Sequence, residues 1–249
     1  MSWARELWSA FSAEMIKLRR SLVLLLIVAA PAMIGILGVM MQVSGNGPDA
    51  WEMRARGTLS IWALFMLPMT LTAITALLGQ IESGPGMWTH LGALPTRRSS
   101  VLIGKYLAAL LTLVLMSSLL LFVEIGGGVL AGALTPEHAL EGPVPVELLS
   151  GALGLMLVAS LLMLSIQLSV AVWSNSFVTP VVVGISGTFV ALVATAADNG
   201  KFFPWLLPVN VLVVDEGRKL FVLLFGSVGG LALASLMIPL LARRDVTAS

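Results

Sequence analysis

Across 249 residues, 58% are hydrophobic and 11% are charged, where soluble domains run to about 45–50% and about 25%. That balance excludes an ordinary soluble domain and points to an all-α, polytopic membrane protein. The formal net charge of +1 makes no case for nucleic acid, and the absence of Cys excludes disulfides and thiolate metal sites within the chain.

Residues 1–20 are polar enough to stay out of the membrane. Trp3, Leu7, Phe11, Met15 and Leu18 recur every three or four positions, while Arg5, Glu6, Glu14, Lys17 and Arg19 fall mostly elsewhere. This is the pattern of an amphipathic helix lying in the membrane interface; a soluble helix that binds a partner shares it. The apolar run Leu22–Met41 is 20 residues long, beyond the roughly 7–15 of a signal-peptide core. It reads as a retained first span.

Five further apolar segments follow, at Leu59–Leu78, Tyr106–Ala133, Leu148–Val172, Val178–Ala197 and Leu220–Leu241. Each is near or above the ~20 residues needed to cross a bilayer core. Backbone groups in lipid need internal partners and the alternation of a barrel is absent, so six transmembrane helices are expected. Only Trp173–Phe177 separates the fourth and fifth segments, which makes them an antiparallel hairpin.

The stretch Gly79–Lys105 (residues 79–105) breaks the apolar pattern most sharply. Ser83-Gly84-Pro85-Gly86 ends a helix, because Gly and Pro disfavour continuation. Met87–Leu94 then sets Trp88, Leu91 and Leu94 about a turn apart, Pro95 stops the turn, and Arg97, Arg98 and Lys105 follow. A short amphipathic helix that touches another protein fits this, and so does a re-entry loop resting its Trp in the interface.

Later in the chain, Glu124 is the single charged residue inside an expected span, beside Gly126-Gly127-Gly128, which would loosen the helix. It is a candidate for the substrate path; snorkelling to the interface or bonding a neighbouring helix would also account for it. Gly128 with Gly132 and Gly226 with Gly230 have the spacing that lets helices approach closely. Residues 198–219 contain Phe202-Phe203-Pro204-Trp205-Leu206-Leu207-Pro208, too apolar for a free loop and too short to span. A re-entrant or interfacial hairpin is expected there, with aromatic anchoring as the simpler reading.

With the N-terminus inside, the inner segments hold Arg5, Lys17, Arg19, Arg20, Arg97, Arg98, Lys105, Arg243 and Arg244. The outer ones hold Arg54, Arg56, Lys201, Arg218 and Lys219. The excess follows the positive-inside rule, so both termini and the 79–105 loop are expected in the cytoplasm.

The chain offers little chemistry of its own. Ser186 sits in Gly184-Ile185-Ser186-Gly187, but a G-x-S-x-G elbow is absent, and neither His90 nor His138 falls in an expected span. There is no G-x-x-x-x-G-K-[ST] phosphate loop. The expectation is a six-span membrane body that is not an enzyme, with no engine of its own and no catalytic, metal or cofactor residue. A membrane scaffold or assembly protein, or a secondary transporter, are the rival readings.

Ala13-Glu14-Met15-Ile16-Lys17-Leu18-Arg19-Arg20-Ser21 resembles the start of type-2 ABC exporter permeases. Glu82-x-x-x-Gly86-x-Trp88, with Leu94-Pro95-x-Arg97-Arg98 and Lys105 after it, is similar to that family's cytoplasmic connection between spans two and three. The small size resembles the lantibiotic-immunity and peptide-export branch. The resemblance implies one permease domain over residues 1–249, paired with a second permease chain and driven by a separate ABC ATPase that binds ATP and Mg. It implies a coupling helix around Trp88, with Glu82, Gly86, Leu91, Leu94, Pro95, Arg97 and Arg98 at the ATPase contact. It also implies a bacterial-type cytoplasmic membrane and outward movement of a peptide, lipid or amphipathic drug-like substrate.

Overall fold

The computed structural model describes residues 3–19, 21–80, 97–174, 176–213 and 215–243, and among these the fold is helical, with a single isolated bridge between Ala50 and Glu141. The helices are α1 (Trp3–Arg19), α2 (Val23–Val43), α3 (Trp51–Gln80), α4 (Arg98–Leu134), α5 (Val146–Ala159), α6 (Leu161–Ser174), α7 (Val178–Ala194) and α8 (Glu216–Arg243). The segment Met87–Leu94, expected as a short helix, lies outside the described residues, as do Glu82, Gly86 and Pro95.

Four helices, α2, α3, α4 and α8, are long and apolar enough to cross a membrane. The pair α5 and α6 makes a fifth if taken as one span, bent by 45°. Helix α7 has 17 residues, short of the ~20 of a straight crossing. The expected single span Leu148–Val172 is therefore two helices meeting at Ser160. That residue is buried and turns its hydroxyl back onto the Leu157 carbonyl at 2.8 Å, the back-bonding that bends helices.

Two expected boundaries move. The second span starts at Trp51, eight residues before Leu59, so Arg54 is inside a helix and buried instead of lying in an outer loop. Residues Trp62–Met66 form a π-turn within α3, where the Leu67 N–H reaches back to the Trp62 carbonyl. Pro68, just beyond, has no N–H to offer the Leu64 carbonyl, and the wider turn absorbs that loss. The third span extends back to Arg98, and Gly126-Gly127-Gly128 does not loosen it: α4 runs unbroken for 37 residues. Gly127 and Gly128 serve packing instead. A Cβ at 128 would collide with the Trp51 ring, and one at 127 would press on Val39 and Arg54.

Helix α4 lies along α2 and α1, while α3 packs on α6 and α7 and α8 closes against α6 and α5. The core between them is built from Leu59, Trp62, Leu67, Leu71, Leu113, Met116 and Met156, all fully buried. Gly226 and Gly230 let α8 seat against the Ala159–Leu161 bend: a Cβ at either would meet main-chain atoms there at 2.5 Å. The Ser165 hydroxyl donates to the Gly230 carbonyl at 2.8 Å across the same seam.

The apolar segment before α8 folds inward. Two 3₁₀ turns, Asp198–Phe202 and Pro204–Leu206, lead into the short turn Leu207–Asn210. Trp205, Leu206 and Leu207 are buried, with the Trp205 ring lying over Gly187 of α7. This segment caps the bundle at the end opposite α1.

Candidate coupling and transport sites

At one end of the bundle α1 meets the starts and ends of the spans. Its buried stripe is Ala10, Glu14 and Leu18, with Leu7, Phe11 and Met15 half-buried beside it and Trp3, Trp8 and Ile16 exposed. The buried face is thus rotated by roughly 40° from the stripe expected from apolar spacing, with Leu18 common to both. A carboxylate sits at its centre, which is why periodicity of apolar residues missed it.

Glu14 has a reason to be there. Lys105 of α4, fully buried, brings its Nζ to 3.2 Å from Glu14 Oε2 and donates to the Leu78 carbonyl at 2.9 Å. The other Glu14 oxygen takes the Lys17 ammonium at 2.6 Å. Gly104 makes the approach possible: a Cβ there would stand 3.0 Å from the Phe11 nitrogen. Sequence reasoning counted Lys105 among the loop's surface charges; the fold turns it into the interior. Further out, Arg97 Nε lies 4.0 Å from Glu6 Oε2, a looser contact between the same two elements. Arg98 opens α4 and is half-buried. The remaining residues expected at the ATPase contact, Glu82, Gly86, Trp88, Leu91, Leu94 and Pro95, fall outside the described residues.

Glu124 lies in the other half of α4 and is 1% exposed. Its Oε1 is 2.9 Å from Arg54 Nε, and Arg54 Nη1 donates to the Gly38 carbonyl at 3.0 Å. Spans α2, α3 and α4 thus meet at one buried ion pair. Hydropathy leaves Glu124 without an intramembrane partner, because it places Arg54 in a loop before Leu59; the early start of α3 supplies one. In front of the pair, an apolar cleft of about 340 Å³ opens between α2 and α4, lined by Gly35, Val39, Met40, Val123 and Gly127.

A third polar contact joins α3, α6 and α7. Gln167 is buried, and the amide orientation that satisfies both of its polar atoms donates to the Pro180 carbonyl at 3.3 Å. Its oxygen then accepts from the Thr72 hydroxyl and the Gly184 N–H, both at 3.1 Å. Ser186, one turn away, is exposed and lies apart from this cluster. Among the described residues no group of three or more His, Asp or Glu is arranged to hold a metal ion.

The decisive comparison is with protein families, where the model described as ABC-2 family transporter protein matches residues 10–191. The chain belongs to that family. As an ABC-2 permease it is a multi-pass membrane component of an ABC transporter, a role that implies an ATPase partner. The matched region takes in Glu14, Arg54, Lys105 and Glu124 and stops short of α8. No curated protein and no solved structure matches the chain.

Proposed function

We propose that this ABC-2 permease is the membrane half of an ATP-driven exporter that carries a peptide, lipid or amphipathic drug-like molecule outward. The family match over residues 10–191 carries this reading. The lack of a phosphate loop supports placing ATP and Mg on a separate ATPase. Two permease chains, the same or similar, would form the transport unit in a cytoplasmic membrane, with six crossings made by α2, α3, α4, the bent α5–α6 pair, α7 and α8. The exposed Trp3, Trp8 and Ile16 suit α1 to a membrane interface at the cytoplasmic side.

In this reading the 79–105 stretch is the coupling segment, with Trp88 as its anchor in the ATPase. Burying a large apolar side chain is worth about 1.5–3 kcal/mol, and Trp is among the commonest interface anchors. Trp88→Ala therefore weakens ATPase association roughly tenfold to a hundredfold while the permease stays folded. Recovery of the ATPase in pull-downs from detergent extract measures this; equal recovery with both chains removes Trp88 from the contact. The purified permease alone hydrolyses no ATP, and activity appears when the ATPase is added back.

Glu124 enters as a polar element of the substrate path, together with Arg54. The pair lies just behind the α2–α4 cleft at Gly127, where an added Cβ would stand 3.4 Å from the Arg54 guanidinium. An amphipathic molecule in the cleft would place its tail on Val39 and Val123 and its polar group towards the pair. Transport by Glu124→Gln, compared at matched expression, tests this; normal transport removes Glu124 from the path.

A further inference from the structure

Leu78 immediately precedes the 79–105 stretch and Lys105 ends it, and the Lys105 side chain joins the two. Lys105 Nζ donates to the Leu78 carbonyl in the last turn of α3 and, from α4, reaches Glu14 on α1. We propose that Glu14 and Lys105 are positioning residues that join α1, the end of α3 and the start of α4 into one rigid body. A displacement of the intervening stretch by the ATPase is then delivered to α1 and to both spans at once. This rests on the coupling role proposed above for that stretch.

Three observations support the joint. Lys105 is fully buried and Glu14 is 1% exposed, so neither charge has water to fall back on when the pair opens. Glu14 is held from two sides, with Lys17 of its own helix on the second oxygen, so the carboxylate that faces Lys105 is oriented from within α1. Helix α1 also touches α4 at main-chain distance over Gly104. Sliding α1 along α4 by one turn, about 5.4 Å, would part Lys105 from Glu14 and drive the α1 backbone across the Gly104 contact. Intermediate positions are costly, which makes the contact a joint with discrete states instead of a greased surface.

A buried ion pair is not needed for stability alone, since apolar replacements are often neutral or better. What it supplies is registry, and registry is what transmission of a displacement requires.

The chain has no Cys, so nitroxide labels can be placed on Cys introduced at Ser9 of α1 and Ser235 of α8, both exposed. In permease reconstituted into vesicles with an excess of unlabelled chain, pulsed EPR should show one narrow distance for this pair. Glu14→Gln, nearly isosteric, should broaden it, while Glu14→Asp, which keeps the charge facing Lys105 and Lys17, should leave it narrow. A narrow distance in Glu14→Gln, or a broad one in Glu14→Asp, overturns the joint. The second arm adds the co-purifying ATPase and traps it with ATP and vanadate. Trapping should shift the Ser9–Ser235 distance in the otherwise unaltered chain and fail to do so in Glu14→Gln. Absence of a shift in the unaltered chain overturns the coupling reading while leaving the resting-state joint standing, so the two failures are distinct. A full shift in Glu14→Gln overturns the positioning role.

Discussion

At the scale of single residues, the two buried ion pairs are the informative features. Arg54 and Glu124 bring opposite charges to 2.9 Å inside the bundle, and each is tolerable there only because of the other. Removing one partner of a buried pair costs about 3–5 kcal/mol, whereas removing both is often close to neutral. Glu124→Gln is therefore expected to lower the thermal stability of the detergent-solubilised permease markedly, and Arg54→Met with Glu124→Leu to restore most of it. A melting temperature unchanged by Glu124→Gln would show that the pair holds nothing together. Half of this pair was legible in the sequence. Glu124 stood out as a charge in an apolar run, but Arg54 lies in Trp51-Glu52-Met53-Arg54-Ala55-Arg56, which reads as loop because three of its six residues are charged. Tertiary contacts with Gly38 and Glu124 stabilise helix there, against the local polarity.

At the scale of elements, close helix contacts depend on glycines whose missing side chains are occupied by a neighbour's backbone. Gly230 is the sharpest case: a Cβ would stand 2.5 Å from the Leu161 carbonyl carbon, which cannot withdraw as a side-chain tip could. Gly230→Ala is expected to push α8 off the bend and cost about 1–3 kcal/mol, as overpacking of a filled seam does. Gly229→Ala is the internal control, since its Cβ would meet only Leu162 methyls at 3.6 Å. Comparable loss of stability from both substitutions, followed by thermal aggregation in detergent, would show that contact distance does not set the effect, since helix propensity favours Ala over Gly at either position. Spacing marked Gly226 and Gly230 in advance as a close-approach pair. The partner they approach was not readable, because the bend at Ser160 falls inside a stretch that hydropathy reads as one continuous span.

At the scale of the whole molecule, α1 and the ends of α6 and α8 share one end of the bundle. The bridge between Ala50 and Glu141 and the inward-folded 198–210 segment share the other. The positive-inside count then predicts that Cys placed at Asn46 or Glu141 reacts with membrane-impermeant maleimide from outside. Cys at Ser99 or Ser249 should react only once the membrane is opened, and labelling of position 99 in intact cells would invert the orientation. What the sequence determined by itself was the solvent and the class: apolar runs of bilayer length force helices, and the resemblance around Glu14 and residues 82–105 pointed to the family that the match over residues 10–191 shows. Only the tertiary structure decided what the polar residues inside that body do. Hydropathy is a sum along the chain and registers each buried charge as a cost. Glu14 with Lys105, 91 positions apart, and Arg54 with Glu124 become favourable only when folding brings the opposite charge within about 3 Å.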